Sequence, residues 1–316
     1  MTEQMKCCRL EDPAYPRRLQ PLEDKPRLLY GYGRLPKEHL PSLAVVGARN
    51  CSVYGRNMAY EFSRVLGGMG IQIVSGMAAG VDSAAHEGAL AAGADTFAVL
   101  GCGADVCYPA SARRLYERLK QAGGVWSEFP PKDPPLAWHF PRRNRLISGL
   151  ADAVLVVEAR QKSGSLITVD CALEQGRTVF AVPGRVGDAL SEGCNRLIAQ
   201  GASVAWSPQA ILDEMGWDGK NPQKTRTVGE NQGLGLATAD KLVYSCLDLD
   251  PKTLSRIQQE TGLPIGELAG ALLRLQLMGA AEEIWKNTYV KGTNRVCPEA
   301  SGPEHENNKN GKHRSK

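Results

Sequence analysis

From position 43 onward, short runs in which nearly every residue is apolar alternate with longer stretches whose apolar residues recur every three or four positions. The runs are LAVVG (43–47), IQIVSG (71–76), TFAVLG (96–101), GVWSEF (124–129), AVLVVEA (153–159) and TVFAVPG (178–184). A strand that lacks polar alternation is covered on both faces, as happens inside a parallel sheet. Between the first two runs, Met58, Phe62, Val65, Leu66 and Met69 share one helical face, and Gly70 stops the helix. Buried strands alternating with amphipathic helices predict an α/β, doubly wound, mostly parallel sheet, and such sheets bind ligands at the carboxyl ends of their strands. Function is therefore sought in the loops that follow each strand.

The regions outside this pattern divide the rest of the chain. Residues 1–40 carry Pro13, Pro16, Pro21, Pro26 and Pro36, a density that breaks helices and predicts an extended N-terminal lead-in draped on a core at 41–215. Residues 216–237 lose periodicity and gain glycine and polar residues, which marks a linker. Residues 238–297 read as a small C-terminal winged-helix domain: helices over 239–248 and 252–261, then a third with Ile265, Leu268, Ala269, Leu272 and Leu275 on one face. A β-prone stretch around Ile284, Trp285, Tyr289 and Val290 closes it. The third helix offers only Arg274 as a cation against Glu267, too little to read bases in a major groove, so contact with a partner or a second copy is the expectation. The polar tail, 298–316, is expected to be disordered.

Charge narrows the search. A net charge of +4 over 316 residues cannot make the whole surface a trap for polyanions, so a nucleic-acid site must come from local clustering. The nine cysteines include no CxxC pair and no matching histidine cluster, which argues for reduced thiols and against structural zinc. Met1 to Cys8 has no apolar core of a signal peptide, and no stretch approaches the roughly 20 apolar residues of a membrane helix. A cytoplasmic protein with no membrane partner is expected.

Four loops carry candidate chemistry. Gly47 to Gly55 places Arg49 and Ser52 before a helix N-terminus, which suits a phosphate oxygen as well as it suits a plain turn with Arg49 in a salt bridge. In the second loop, Asp82 and His86 read more cheaply as a helix cap and a core histidine than as an acid–base pair. Trp138 to Arg145 is the densest meeting of aromatic and basic residues, with Phe140 as a base platform and Arg142, Asn144 and Arg145 nearby. At least one of the three arginines at 142, 143 and 145 is expected to be structural. The fourth loop, with Lys162, Ser163, Gly164 and Ser165 before another helix, forms a second anion cradle, and two such loops on one sheet would converge on one edge. The chain holds no GxxxxGK[ST], HExxH or GxSxG motif, and the GxG pairs at 31–33 and 101–103 fail the dinucleotide fingerprint. Neither a catalytic constellation nor a cofactor is expected.

Read in order, the loops resemble the DNA-processing protein A (DprA/Smf) family: GxRxxSxYG at 47–55, SGxAxGVDxxAHxxAL at 75–90, AVLGCGxDVxYP at 98–109, FPRRNRxIxGL at 140–150, KSGSLIT at 162–168 and GCNRLIxxGA at 193–202. The resemblance spans about 43–206 and implies a Rossmann-like, dimeric protein that binds single-stranded DNA without sequence preference. It further implies loading of RecA recombinase during uptake of transforming DNA, with single-strand-binding protein as a further partner. Carried onto this chain, it makes Arg49 a phosphate contact, Phe140 a stacking platform, Asn144 and Arg145 groove-lining groups, and Lys162, Ser163 and Ser165 the second cradle. The helical N-terminal domain of many relatives is not expected here, and Trp138 stands where relatives often have a small residue. Two rivals are a phosphoribohydrolase-like enzyme, whose PGGxGT loop is replaced here by KSGSLIT, and a transcription regulator acting through the winged helix.

Overall fold

The computed structural model describes residues 4–217, 238–248 and 250–292, and the chain divides into two compact units, 1–232 and 233–316. In the first unit the six apolar runs become β3 (Ser42–Gly47), β4 (Gln72–Ser75), β5 (Thr96–Val99), β6 (Gly124–Ser127), β7 (Ala153–Val157) and β8 (Thr178–Ala181). With β1 (Lys6–Arg9), β2 (Leu28–Gly33) and β9 (Ser203–Val204) they form one sheet ordered β1-β2-β6-β5-β4-β3-β7-β8-β9. The chain winds outward from β3 through β4 and β5 to β6, then returns to β7 on the other side of β3. Every pairing from β6 to β9 is parallel, whereas β1–β2 and β2–β6 are antiparallel. The winding reverses between β3 and β7, which run in register from Leu43 opposite Ala153 to Gly47 opposite Val157. Ligands of doubly wound sheets bind outside the carboxyl ends at this reversal.

Helices α1 (Val53–Gly68), α2 (Val81–Ala91), α3 (Arg113–Ala122), α4 (His139–Gly149), α5 (Ser165–Glu174), α6 (Glu192–Ala199) and α7 (Pro208–Met215) cover the sheet. Successive residues of a strand point to opposite faces. Accordingly Leu43, Val45 and Leu155 pack with Phe62 and Leu66 of α1, while Ala44, Val154 and Val156 pack with Leu146 and Ile147 of α4. Each such fully buried aliphatic side chain contributes about 1.5–3 kcal/mol.

Residues 1–40, read from the sequence as a lead-in, instead supply two strands of the sheet. The prolines that suggested an extended segment lie between β1 and β2 or after them, and β2 closes the edge left by β6, with Tyr30 opposite Ser127. Tyr15, Leu19 and Leu22 from the connection are buried with Leu146 and Ile147. Arg18 grips Asp152 through Nε and Nη2 (3.1 and 3.0 Å), and Asp152 accepts the Ser42 N–H (2.9 Å), fastening the connection to the amino ends of β3 and β7.

The second unit contains α8 (Thr238–Cys246), β10 (Lys252–Thr253), α9 (Leu254–Thr261), α10 (Ile265–Leu277), β11 (Ala281–Trp285) and β12 (Thr288–Lys291). Its three strands pair antiparallel in the order β10-β12-β11, over a core of Val243, Ile257, Leu268, Leu272 and Leu275. The expected linker and tail lie outside the described residues, apart from Gly216 and Trp217. Gly216 ends α7 in the left-handed conformation and Trp217 packs on the first unit's core. Among the described residues no cysteine is disulfide-bonded and no helix is long and apolar enough to cross a membrane.

Candidate nucleic-acid interface

The loop after β3 carries Arg49 and Asn50 into solvent and then turns into α1. Ser52 caps that helix: its Oγ accepts the Gly55 N–H at 3.1 Å. The same hydroxyl donates to Oε1 of Glu158, and the Ser52 N–H donates to Oε2 at 2.8 Å. Glu158 follows β7, is only 3% exposed, and takes a left-handed backbone with φ of 54°. Met77, just after β4, also takes a left-handed backbone, with φ of 57°. Such conformations cost non-glycine residues about 1–3 kcal/mol and persist where surrounding contacts hold them.

In α4, residues three and four apart share a face. Phe140, Arg143, Asn144 and Ile147 form that face and line a groove of about 680 Å³ together with Arg49, Arg160, Lys162, Ser163, Gly164 and Ser165. That volume lies within the roughly 300–1,000 Å³ of small-ligand sites. Phe140 is half-buried, with the Arg49 guanidinium carbon 5.0 Å from its ring centre and the Tyr108 ring 5.5 Å away. Gly101 permits this, because a Cβ there would sit 2.8 Å from a Phe140 ring carbon. Asn144 donates from Nδ2 to the Gly164 carbonyl (3.3 Å), tying α4 to the loop before α5. In that loop the hydroxyls of Ser163 and Ser165 are 2.8 Å apart, and Ser163 takes the first amides of α5: its Oγ accepts the Ser165 N–H (3.4 Å) and its carbonyl the Leu166 N–H (3.0 Å). Arg49, Arg160 and Lys162 are exposed, and none of them forms an ion pair among the described residues.

Beneath the rim lie buried polar groups. Arg143, 4% exposed, donates from Nη1 to the carbonyls of Gly76 (2.9 Å) and Val99. Its burial lowers its pKa to about 10, so it stays protonated at neutral pH. Asp82 accepts the N–H groups of Gly76 (3.2 Å) and Ala78 (3.3 Å), which close the turn into α2. Burial raises its carboxyl to about 6 against the opposing pull of Arg143. His86 makes a 2.7 Å bond through Nδ1 to Thr96 Oγ1, whose own proton goes to the Ile73 carbonyl (3.1 Å), so Nδ1 is the donor. Its Nε2 is buried without a partner among the described residues, and burial holds its pKa near 3. Asp82 and His86 are thus structural groups in this arrangement.

Of the residues singled out from the sequence, the structure brings Arg49, Phe140, Asn144, Lys162, Ser163, Gly164 and Ser165 to one groove. It does not bring Ser52, Arg142 or Arg145 there. The Ser52 hydroxyl is committed to Glu158 and the helix cap. Arg145 forms a two-toothed pair with Glu128 (3.0 and 2.8 Å) and a second contact with Asp24, its side chain 9% exposed. Arg142 leans on Glu128 (3.4 Å) and the Phe129 ring, on the same side. Trp138, 58% exposed, stacks edgewise on Phe129 and His139. Sequence reasoning passed over Tyr108 and Arg160 as groove residues and Glu158 as a support. Arg160 directly precedes the predicted cradle and was within its reach, whereas Tyr108 and Glu158 announce themselves only through long-range packing.

The chain matches, over residues 6–216, the model of a family described as DNA recombination-mediator protein A. Protein Smf of Escherichia coli is 40% identical over 270 residues, covering 84% of this chain and 72% of that protein. DNA processing protein DprA of Streptococcus pneumoniae is 45% identical over 205 residues, covering 64% of this chain and 72% of the relative. The X-ray structure of the S. pneumoniae protein superimposes with a TM-score of 0.64 at 43% identity, over 67% of this chain and 74% of that one. A DNA processing protein A from Helicobacter pylori, whose structure is described for its single-stranded DNA binding mode, gives a TM-score of 0.60 at 29% identity over 68% and 96% of the two chains.

Proposed function

Because this chain belongs to the DNA recombination-mediator protein A family, we propose that its groove holds single-stranded DNA without sequence preference. One observation carries the reading: a half-buried aromatic ring and three exposed cations without ion pairs among the described residues line the same groove at the sheet's winding reversal. Unpaired bases have free π-faces to stack on a ring, and cations along the rim follow the phosphates. The paired hydroxyls of Ser163 and Ser165 at the start of α5 add donors for a phosphate oxygen. We read the protein as a binder and not an enzyme, because Asp82, the one carboxylate among the described groove-lining residues, spends Oδ2 on two backbone amides.

In the same reading the protein is a cytoplasmic homodimer that passes the bound strand to RecA recombinase during uptake of transforming DNA, with single-strand-binding protein as a further partner. The family's description as a recombination mediator supports this. The second unit is read as a winged helix, supported by three helices followed by a hairpin of β11 and β12.

The test is a salt titration of oligo-dT against duplex DNA, with light scattering to give the oligomeric state. Tighter binding of oligo-dT, with log K falling linearly in log salt by roughly 0.7 per phosphate engaged, is the expected result. Preference for duplex, or affinity indifferent to salt, would overturn the reading.

A further inference from the structure

Glu158 stands at the winding reversal and touches both halves of the groove. It immediately follows β7, so its own chain leads into Arg160 and the Lys162–Ser165 loop. Its carboxylate reaches across to hold the N–H and hydroxyl of Ser52, at the far end of the Arg49 loop. Its carbonyl accepts the Ala48 N–H at 2.8 Å, at the near end. Arg49 is thereby bracketed by two residues fastened to one residue at the end of the neighbouring strand. Gly55, on the first turn of α1, has a hydrogen where any side chain would strike the Glu158 carboxylate, so α1 is packed directly on it. A buried acidic residue in a left-handed backbone is an expensive choice for mere filling.

We propose that Glu158 is a positioning residue for the groove: it fixes the Arg49 loop, through Ser52 and Ala48, against the Lys162 loop so that the two cation sets engage one strand together. This rests on the groove being the strand-binding site. Glu158 does not touch the DNA, and Ser52 acts through it as its hydrogen-bond partner.

The experiment uses the full chain and fluorescently labelled oligo-dT, with affinity and salt slope measured for Arg49→Ala, Glu158→Ala, Glu158→Gln, Ser52→Ala and the pairs of Arg49→Ala with each of the others. Thermal unfolding reports the folded state of each variant. Glu158→Ala should weaken binding about as much as Arg49→Ala, about fivefold near 0.1 M salt if one phosphate contact is lost, and lower the salt slope by about 0.7. Added to Arg49→Ala, it should cost little more, because the two act as one unit. Glu158→Gln keeps an acceptor for the Ser52 amide and should retain most of the affinity. A folded Glu158→Ala that binds like the parent while Arg49→Ala is weakened overturns the positioning role alone, as do independent, additive losses. If Arg49→Ala itself binds like the parent, the reading of the groove fails. Should Glu158→Ala not fold, Ser52→Ala supplies the same cycle: a non-additive loss supports the role and an additive one overturns it.

Discussion

Two faces of one short helix divide the segment in which aromatic and basic residues meet most densely. On α4, Phe140, Arg143, Asn144 and Ile147 face the groove, while Arg142 and Arg145 turn to Glu128 on the opposite flank. The residues are interleaved in sequence and chemically alike, yet only one side leaves nearby cations without partners. A guanidinium held by a buried carboxylate has already exchanged water for a fixed partner, and removing that partner would strand a charge. Basic residues therefore mark a DNA face only where no acid has claimed them. The rim cations Arg49, Arg160 and Lys162 meet that condition; Arg145 does not.

The sharpest way to break the comparison is Arg145→Ala. It removes the two-toothed partner of Glu128, whose side chain is 4% exposed, and leaves it only Arg142 at 3.4 Å; loss of one member of a buried pair costs about 3–5 kcal/mol, and the remaining arginine holds the cost to the lower end. At about 2–4 °C per kcal/mol for a unit of this size, a fall in Tm of about 10 °C is expected. Folded Arg145→Ala should bind oligo-dT within twofold of the parent. Weakened binding with an unchanged Tm would put Arg145 on the wrong face.

The third arginine, Arg143, sharpens the contrast between rim and floor. Its acceptors are the carbonyls of Gly76 and Val99, with Asp82 the nearby negative charge. Asp82 lies near 6 in the folded state against 3.8 for an ordinary carboxyl, so its contribution to stability is full below 3.8 and is lost as pH rises through 6. His86 behaves oppositely: held near 3 from an ordinary 6.5, it stabilises above 6.5 and loses that contribution as pH falls. Between pH 6 and 4 the two slopes oppose each other at about 1.4 kcal/mol per pH unit. Asp82→Asn removes one of them. Relative to the parent, its stability should fall by roughly 2 kcal/mol as pH goes from 6 to 4, seen as a widening Tm gap in paired thermal melts. A gap that stays constant across that range would show that the Asp82 carboxyl titrates no differently in the folded chain.

How much of this was written in the sequence depends on the range over which each feature is determined. The six buried strands were legible because a parallel strand is apolar at every position, a signal contained within five or six residues. β1 and β2 were not: Lys6–Arg9 is a four-residue edge strand, Leu28–Gly33 is interrupted by Gly31, and the prolines between them mask both. The loops of the groove were legible because they follow those strands. The split of 140–145 between two faces needed only the helical period, but which face met an acid depended on Glu128 and on Asp24, 121 residues away from Arg145. Glu158 was out of reach for a different reason. Its importance lies in a backbone angle and a bond to Ser52, 106 residues away, and nothing local to it announces either.

The smallest effects test the groove face itself, and they separate its two kinds of contact. Phe140→Ala removes a stacking surface and no charge, so binding to oligo-dT should weaken by about 1–3 kcal/mol with the salt slope unchanged. Lys162→Ala removes one phosphate partner, so the slope should drop by about 0.7 and affinity near 0.1 M salt by about fivefold, a loss that shrinks as salt rises. Neither side chain is fixed in an ion pair, and surface changes of this kind stay within about 0.5 kcal/mol of parent stability for Lys162. If the two variants lose affinity with the same change in slope, ring and cation are not performing different tasks. The groove would then be a general basic patch, and the distinction between the faces of α4 would rest on stability alone. Parallel titrations of both variants from 50 to about 300 mM salt, the range in which counterion release is readily measured, decide between these outcomes.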